Sequence, residues 1–211
     1  MKVISPYIEV LTPINGTEVL KHLEQCGRIC YKSEDKITDE SCVSFIKGII
    51  NRGHEAVLEH YNISVKIVCD RGVTHEIVRH RLASYCQEST RYCNYTKDKF
   101  GNEITVIEPC FFERDSREYF IWKRSMERAE KAYFDLLDCG CTAQQARDVL
   151  PNSLKTEIVM TANIREWRHF LRLRCSSAAH PQMQEVAKMI LNEFWRNMPT
   201  LFDDVREEVY G

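Results

Sequence analysis

The chain has 211 residues, 44% of them apolar and 28% charged, which is long enough for one sizeable core and somewhat long for two separate domains. Its net charge of −2, with histidines neutral, excludes the broad basic excess of a general nucleic-acid or membrane-surface binder but leaves room for a local basic site. No stretch approaches the ~20 apolar residues of a membrane span, and the opening MKVISPYIEVLTP lacks the long apolar run of an export signal, so a cytoplasmic location is expected.

In chain order, Val3 to Leu11 reads as a strand. Glu18 to Tyr31 reads as a helix, with Val19, Leu20, Leu23 and Cys26 at helical spacing. Thr38 and Asp39 cap a second helix that runs to about Asn51, and Gly53 ends it. From Tyr61, the residues Ile63, Val65, Ile67 and Cys69 alternate with polar ones, a strand pattern. Gly72 to Arg81 is expected to be helical, Ala83 to Gly101 loop-like, and Ile104 to Ile107 a short strand closed by Pro109. Arg114 to Leu137 is the longest helix, stopped by Gly140. Thr142 caps a short helix ending before Pro151. Asn163 to Arg174 and Ala179 to Met198 are further helices, and Leu201 to Val209 is a last amphipathic piece. There is no repeat, low-complexity tract or convincing linker. One α/β (α+β) domain over residues 1–211 is the expectation, a sheet flanked by long helices.

The ten cysteines include no CxxC pair, and without an export signal they read as reduced thiols, mostly packed as small apolar residues. In GHEAVLEH, five residues separate His54 from His60, which is not the HExxH spacing, so no metal site is expected. The chain has no GxGxxG and no Walker A sequence; a nucleotide would be held by scattered side chains.

The concentrated chemistry lies in RHRLASYCQESTRY, Arg79 to Tyr92. At ~100° per residue, Glu76, Arg79 and His80 share one helix face while Arg81 projects near Ile77. The triplet therefore reaches in two directions from a helix end. That suits groups carried to a ligand, and equally a solvated end with cations in its last turn. Ser89, Thr90 and their backbone N–H groups suit a phosphate, with Arg91 gripping it bidentately, while Gln87 and Glu88 suit a base or sugar; a polar turn has the same look. In Asn163–Arg174, the residues Trp167, Phe170, Leu171 and Leu173 form an apolar arc opposite Arg165, Arg168, His169 and Arg172. Arg174 falls inside that arc. There it either faces a partner or ligand, or turns outward past the helix end.

Arg79-His80-Arg81, seven residues and Ser89 together resemble the motif of the flavin-dependent thymidylate synthases. The flanks agree in family order from about residue 50 to 195: GHEAVLEH, ARDVLP (146–151), NIREWRHFLRLR (163–174) and AHPQ (179–182). The resemblance implies the family's own α/β fold and reductive methylation of dUMP to dTMP. Methylenetetrahydrofolate would supply the carbon, and NADPH would reduce a tightly held FAD. It also implies a homotetramer with active sites shared between subunits. The positions matching FAD contacts are His54, Glu59, Arg79, His80, Arg81, Gln87, Asn163, Arg165, His169 and His180. Those matching dUMP contacts are Glu76, Arg79, Gln87, Glu88, Ser89, Thr90, Arg91, Arg147 and Arg174, with Arg174 as the group that activates uracil. Ser89 reads as a binding residue, because no histidine base has an obvious claim on it. Cys86 is not read as the nucleophile. Ala56, Glu76, Cys86 and Gln87 depart from the common residues at their positions, which touches contact details rather than the reaction. The rival readings are a nucleic-acid-binding module using the basic clusters and a relative that keeps the fold without turnover.

Overall fold

Proline has no N–H for a ladder, and Pro6 splits the first expected strand in two: β1 (Lys2–Ile4) and β2 (Tyr7–Val10). The computed structural model describes residues 1–97 and 101–211. Part of the expected loop from Ala83 to Gly101 therefore lies outside the described residues. Helix α1 (Gly16–Ile29) begins where the Asn15 side chain accepts from the Glu18 N–H, and α2 (Ser41–Asn51) packs on it. The two helices approach closely at Gly27, where an added Cβ would lie 2.7 Å from the Phe45 ring. Gly53, at φ +69°, turns the chain out of α2. A 3-10 turn over Glu55–His60 then leads into β3 (Asn62–Asp70).

Asp70 caps α3 (Arg71–Ile77), accepting from the Val73 N–H at 2.8 Å. Here the structure corrects the sequence reading: α3 stops at Ile77, so the Arg79–Arg81 triplet follows the helix instead of ending it. Two further strands were not anticipated, β4 (Ser84–Gln87) and β6 (Lys155–Asn163). Between them lie β5 (Thr105–Ile107), α4 (Arg117–Asp138) and α5 (Ala143–Ala146), the last continued by a 3-10 turn over Arg147–Val149. The chain closes with α6 (Ile164–Arg174), α7 (Pro181–Asn197) and α8 (Pro199–Tyr210). Among the described residues the fold is thus mixed, with long helices and two sheets. One sheet is the parallel pair β1–β5, registered Lys2 to Thr105, and the other has the order β2-β3-β6-β4.

Two units divide the chain, which passes from one to the other within β2, β3, β4 and β6 and between Arg79 and His80. The first comprises residues 1–7, 67–79 and 85–159, and its core joins Tyr95, Ile104, Val106, Met126, Tyr133 and Leu154. The second comprises residues 8–66, 80–84 and 160–211. Its core centres on Trp167, whose ring meets Phe170 and Phe194 edge-on at 5.5 and 5.3 Å and whose indole N–H donates to the Ile63 carbonyl at 3.0 Å. Each such buried side chain contributes about 1.5–3 kcal/mol.

Helix α6 departs from its expected faces. Arg168, assigned to the polar side, is buried. It donates to both carboxylate oxygens of Asp204 on α8, at 2.8 and 2.6 Å, and to the Leu201 carbonyl. Leu173, assigned to the apolar arc, is half exposed. The cysteines also differ from expectation. Only Cys42, Cys69 and Cys175 are buried, while Cys30, Cys86, Cys110 and Cys139 are exposed. Burial pushes the Cys175 thiol up to about 12 and raises Cys69 as well.

Candidate active site

In the first unit, β4 delivers the polar segment Gln87–Arg91. The Tyr85 hydroxyl donates to the Ile77 carbonyl at 3.0 Å, which ties β4 to the end of α3. Gln87 then donates to Thr74 Oγ1 at 3.0 Å. The Glu88 N–H donates to the Glu157 carbonyl on β6 at 2.8 Å, and its carboxylate accepts from Lys155 at 3.0 Å. Burial pulls the Lys155 ammonium down, but Glu157 at 2.5 Å and Glu88 outweigh it and hold the group above the usual lysine range. Glu88, Lys155 and Glu157 line a cavity of about 480 Å³ together with Lys2, Tyr95 and Glu103. Beyond Glu88 the chain turns at Ser89, whose carbonyl accepts the N–H groups of Tyr92 and Cys93. Thr90 is buried, with Arg147 Nη1 3.5 Å from its hydroxyl, and Arg91 donates to Gln144 at 3.2 Å. Two guanidiniums and two hydroxyls thus gather beside the start of α5, a donor set of the kind that grips a phosphate. Glu76 lies in the last turn of α3, and Arg79 is exposed just beyond it.

In the second unit, Glu59, Arg81, Asn163, Arg165 and His169 line one cleft of about 370 Å³, with Glu55, Glu166 and Arg172 among its other walls. Five of the ten positions matched to FAD therefore converge. Asn163 Oδ1 caps α6 by accepting from the Glu166 N–H at 2.8 Å. Arg165 pairs with Glu59 at 2.6 Å; both are exposed, so the pair adds little stability. Three guanidiniums and a histidine around one cleft fit the doubly charged diphosphate of a dinucleotide.

His80 is buried in this unit. Its Nε2 accepts from Arg174 Nε at 2.9 Å, its Nδ1 lies 3.3 Å from Glu166 Oε1, and Phe170 packs edge-on at 4.7 Å. Burial, then the nearby Arg174, His169 and Arg81, lower its pKa to about 4, so the imidazole is neutral at physiological pH. Burial raises the Glu166 carboxyl, partly offset by His169. Arg174 itself is half-buried, as its place in the apolar arc requires.

His54 and His180 stand elsewhere in the second unit. His54 Nδ1 lies 3.1 Å from the Tyr31 hydroxyl, in a separate cleft of about 400 Å³ with Arg28, Phe45 and Arg52, and His180 is exposed at the start of α7. Every position matched to dUMP belongs to the first unit except Arg174. Every position matched to FAD belongs to the second except Arg79 and Gln87. Sequence reasoning missed Glu55, Glu166 and Arg172 as cleft walls, and Lys155 and Glu157 as anchors of Glu88. Three of these lay inside segments already singled out, Glu55 in the histidine-containing stretch weighed for a metal and Glu166 and Arg172 in the Asn163–Arg174 helix.

The family described as thymidylate synthase complementing protein matches residues 14–200. A flavin-dependent thymidylate synthase of Pyrococcus abyssi is 36% identical over 163 residues, covering 77% of this chain and 66% of the relative. One from Geobacter sulfurreducens is 33% identical over 185 residues (84% and 78%), and one from Corynebacterium glutamicum is 31% identical over 219 (95% and 84%). This chain thus spans between 66% and 84% of the length of these relatives. Among solved structures, the UMP/dUMP methylase PolB from Streptomyces cacaoi, bound with 5-Br dUMP, shares the fold at a TM-score of 0.77 and 22% identity, covering 98% of this chain and 97% of that one. Matched along most of its length by the family and by these curated members, the chain belongs to the thymidylate synthase complementing proteins, the family of the flavin-dependent thymidylate synthases.

Proposed function

We propose that this protein methylates dUMP reductively to dTMP in the cytoplasm. Methylenetetrahydrofolate is the carbon donor and NADPH the reductant of a bound FAD, and the enzyme works as a homotetramer whose active sites are shared between subunits. The observation that carries the reading is the Arg174–His80 contact: a permanent cation on the apolar side of α6, held at 2.9 Å by a neutral, buried imidazole.

Carbon 5 of uracil is a weak nucleophile. A guanidinium at N3 and the adjoining carbonyl stabilises the enolate-like anion of the ring and raises electron density at carbon 5. Shielding from water strengthens that interaction, so a half-buried arginine serves better than an exposed one. Ser89, Thr90, Arg91 and Arg147 bind the phosphate of dUMP. Gln87 and the Glu88 segment orient base and sugar, with Glu76 and Arg79 beside them. Arg81, Arg165 and His169, with Glu59, Asn163 and His80, hold FAD; His54, Gln87, Arg79 and His180 complete its surroundings. When bound and reduced, FAD supplies the hydride.

An absorption spectrum of the purified protein should show flavin bands, and [5-³H]dUMP should release tritium in the presence of methylenetetrahydrofolate. A colourless protein that refuses FAD even with dUMP present overturns the proposal. Arg174→Ala should lower tritium release by about 10²–10³-fold with flavin content largely kept; unchanged turnover refutes its role. Light scattering at working concentration tests the tetramer.

A further inference from the structure

We infer that Glu166 is a positioning residue for Arg174, acting through His80 to set the orientation in which the guanidinium meets the pyrimidine; this rests on the proposed dUMP chemistry. The three groups stand in line. Arg174 Nε donates to His80 Nε2 at 2.9 Å, which makes Nε2 an acceptor and leaves the single proton of the neutral ring on Nδ1. Nδ1 lies 3.3 Å from Glu166 Oε1, a buried oxygen with no aligned hydrogen bond, so a small rotation lets it accept the Nδ1 proton and favour this tautomer. Were the proton to move to Nε2, it would meet the Arg174 N–H, donor against donor, and the guanidinium would turn away.

Each member is fixed from elsewhere. Phe170 packs on the imidazole at 4.7 Å, and the Glu166 backbone N–H is anchored by the Asn163 side chain at 2.8 Å. The contact engages Nε, the root of the guanidinium fork, so it bears on the orientation of the whole planar group. Burial and the neighbouring Arg174 and Arg81 keep the ring uncharged, which preserves its acceptor. A carboxylate in the first turn of α6 would also favour the helix dipole. That role predicts a change in stability; the relay predicts a change in turnover.

The test compares Glu166→Leu, which removes the acceptor, with Glu166→Gln, whose amide oxygen keeps it. Both are assayed as flavin-loaded enzymes by tritium release from [5-³H]dUMP. Glu166→Leu should lower kcat per bound flavin by about tenfold or more, the scale of a misplaced catalytic group. Glu166→Gln should stay within about threefold of wild type, about 0.7 kcal/mol. In an Arg174→Lys background, Glu166→Leu should cost less than about twofold, since the group it positions has changed. Wild-type kcat in Glu166→Leu, equal damage from both variants, or the full factor in the Arg174→Lys background overturns the inference. The ¹⁵N spectrum of the wild-type imidazoles tests it without any variant having to fold: a proton on His80 Nε2 overturns it. A wild-type enzyme that releases no tritium sinks the dUMP reading itself, whereas an active wild type with an indifferent Glu166→Leu sinks only the relay.

Discussion

Burial and the arginines beside His80 keep its imidazole neutral down to about pH 4, whereas in the unfolded chain it protonates near 6.5. The folded pKa is the lower one, so acid gives a proton to the unfolded state first. Stability should therefore be undiminished above about pH 6.5 and fall as the pH drops toward 4, by about 2–3 kcal/mol from this group. Urea midpoints at pH 7.5 and 4.5 should drop more in the wild type than in His80→Asn; equal drops would contradict the burial of a neutral ring. The sequence made His80 a cofactor contact by its place in a motif. It did not show that the ring lies beneath the cleft, because its partners Glu166 and Arg174 come more than eighty residues later and meet it only through the fold.

Among the elements, α6 and α8 are joined by charges rather than by apolar contact alone. Asp204 accepts from the buried Arg168 and also from Arg172 at 2.7 Å, and Arg172 reaches Glu208 at 2.9 Å. Burial raises the Asp204 carboxyl, but Arg168 and then Arg172 outweigh it and hold the group below the usual range. Asp204→Ala would take the bidentate partner from the Arg168 guanidinium, leaving it Glu55 at 3.5 Å and the Leu201 carbonyl, and should cost about 1.5–3 kcal/mol, read from urea unfolding. A loss below about 1 kcal/mol would place the pair with weak surface contacts. The helices with clear 3.6-residue periodicity were legible in the sequence, whereas β6 was not. Its buried side is Thr156, Ile158, Met160 and Ala162, while the other side is partly buried and includes Val159, so the apolar run Ile158–Met160 interrupts the alternation of hydropathy. Strand β4 lies at one end of its sheet with three of its four residues exposed, and short polar edges carry no apolar pattern. Arg168 deceived for a related reason: a helical wheel sets it at the edge of the apolar arc, about 60° from Leu171 and about 100° from Trp167, and the carboxylates that cover it, Asp204 and Glu55, come from distant parts of the chain.

At the scale of the whole molecule, the residues matched to the two ligands sort largely into different units. Hydrogen exchange can read that division directly. Saturating dUMP should slow the amides of 88–91 and 144–147, and FAD those around 81 and 163–169. A ligand at about a hundred times its Kd adds about 2.7 kcal/mol to the stability of what it holds. Protection in the reverse pattern would contradict the assignment of the two sets. The motif made both sets readable as residues, but not their sorting, because the division falls between Arg79 and His80, within three adjacent letters.

The bond between Arg168 and Asp204 gives the final helix a stake in events at the other end of α6. Trimming the polypeptide back beyond residue 204 would withdraw the closer of two counter-charges from a guanidinium shut off from solvent, leaving Glu55 at 3.5 Å. Helix α6 would then loosen along its length, Arg174 included. A C-terminal truncation series should accordingly keep its turnover until the cut passes that carboxylate, and lose it in a single step there.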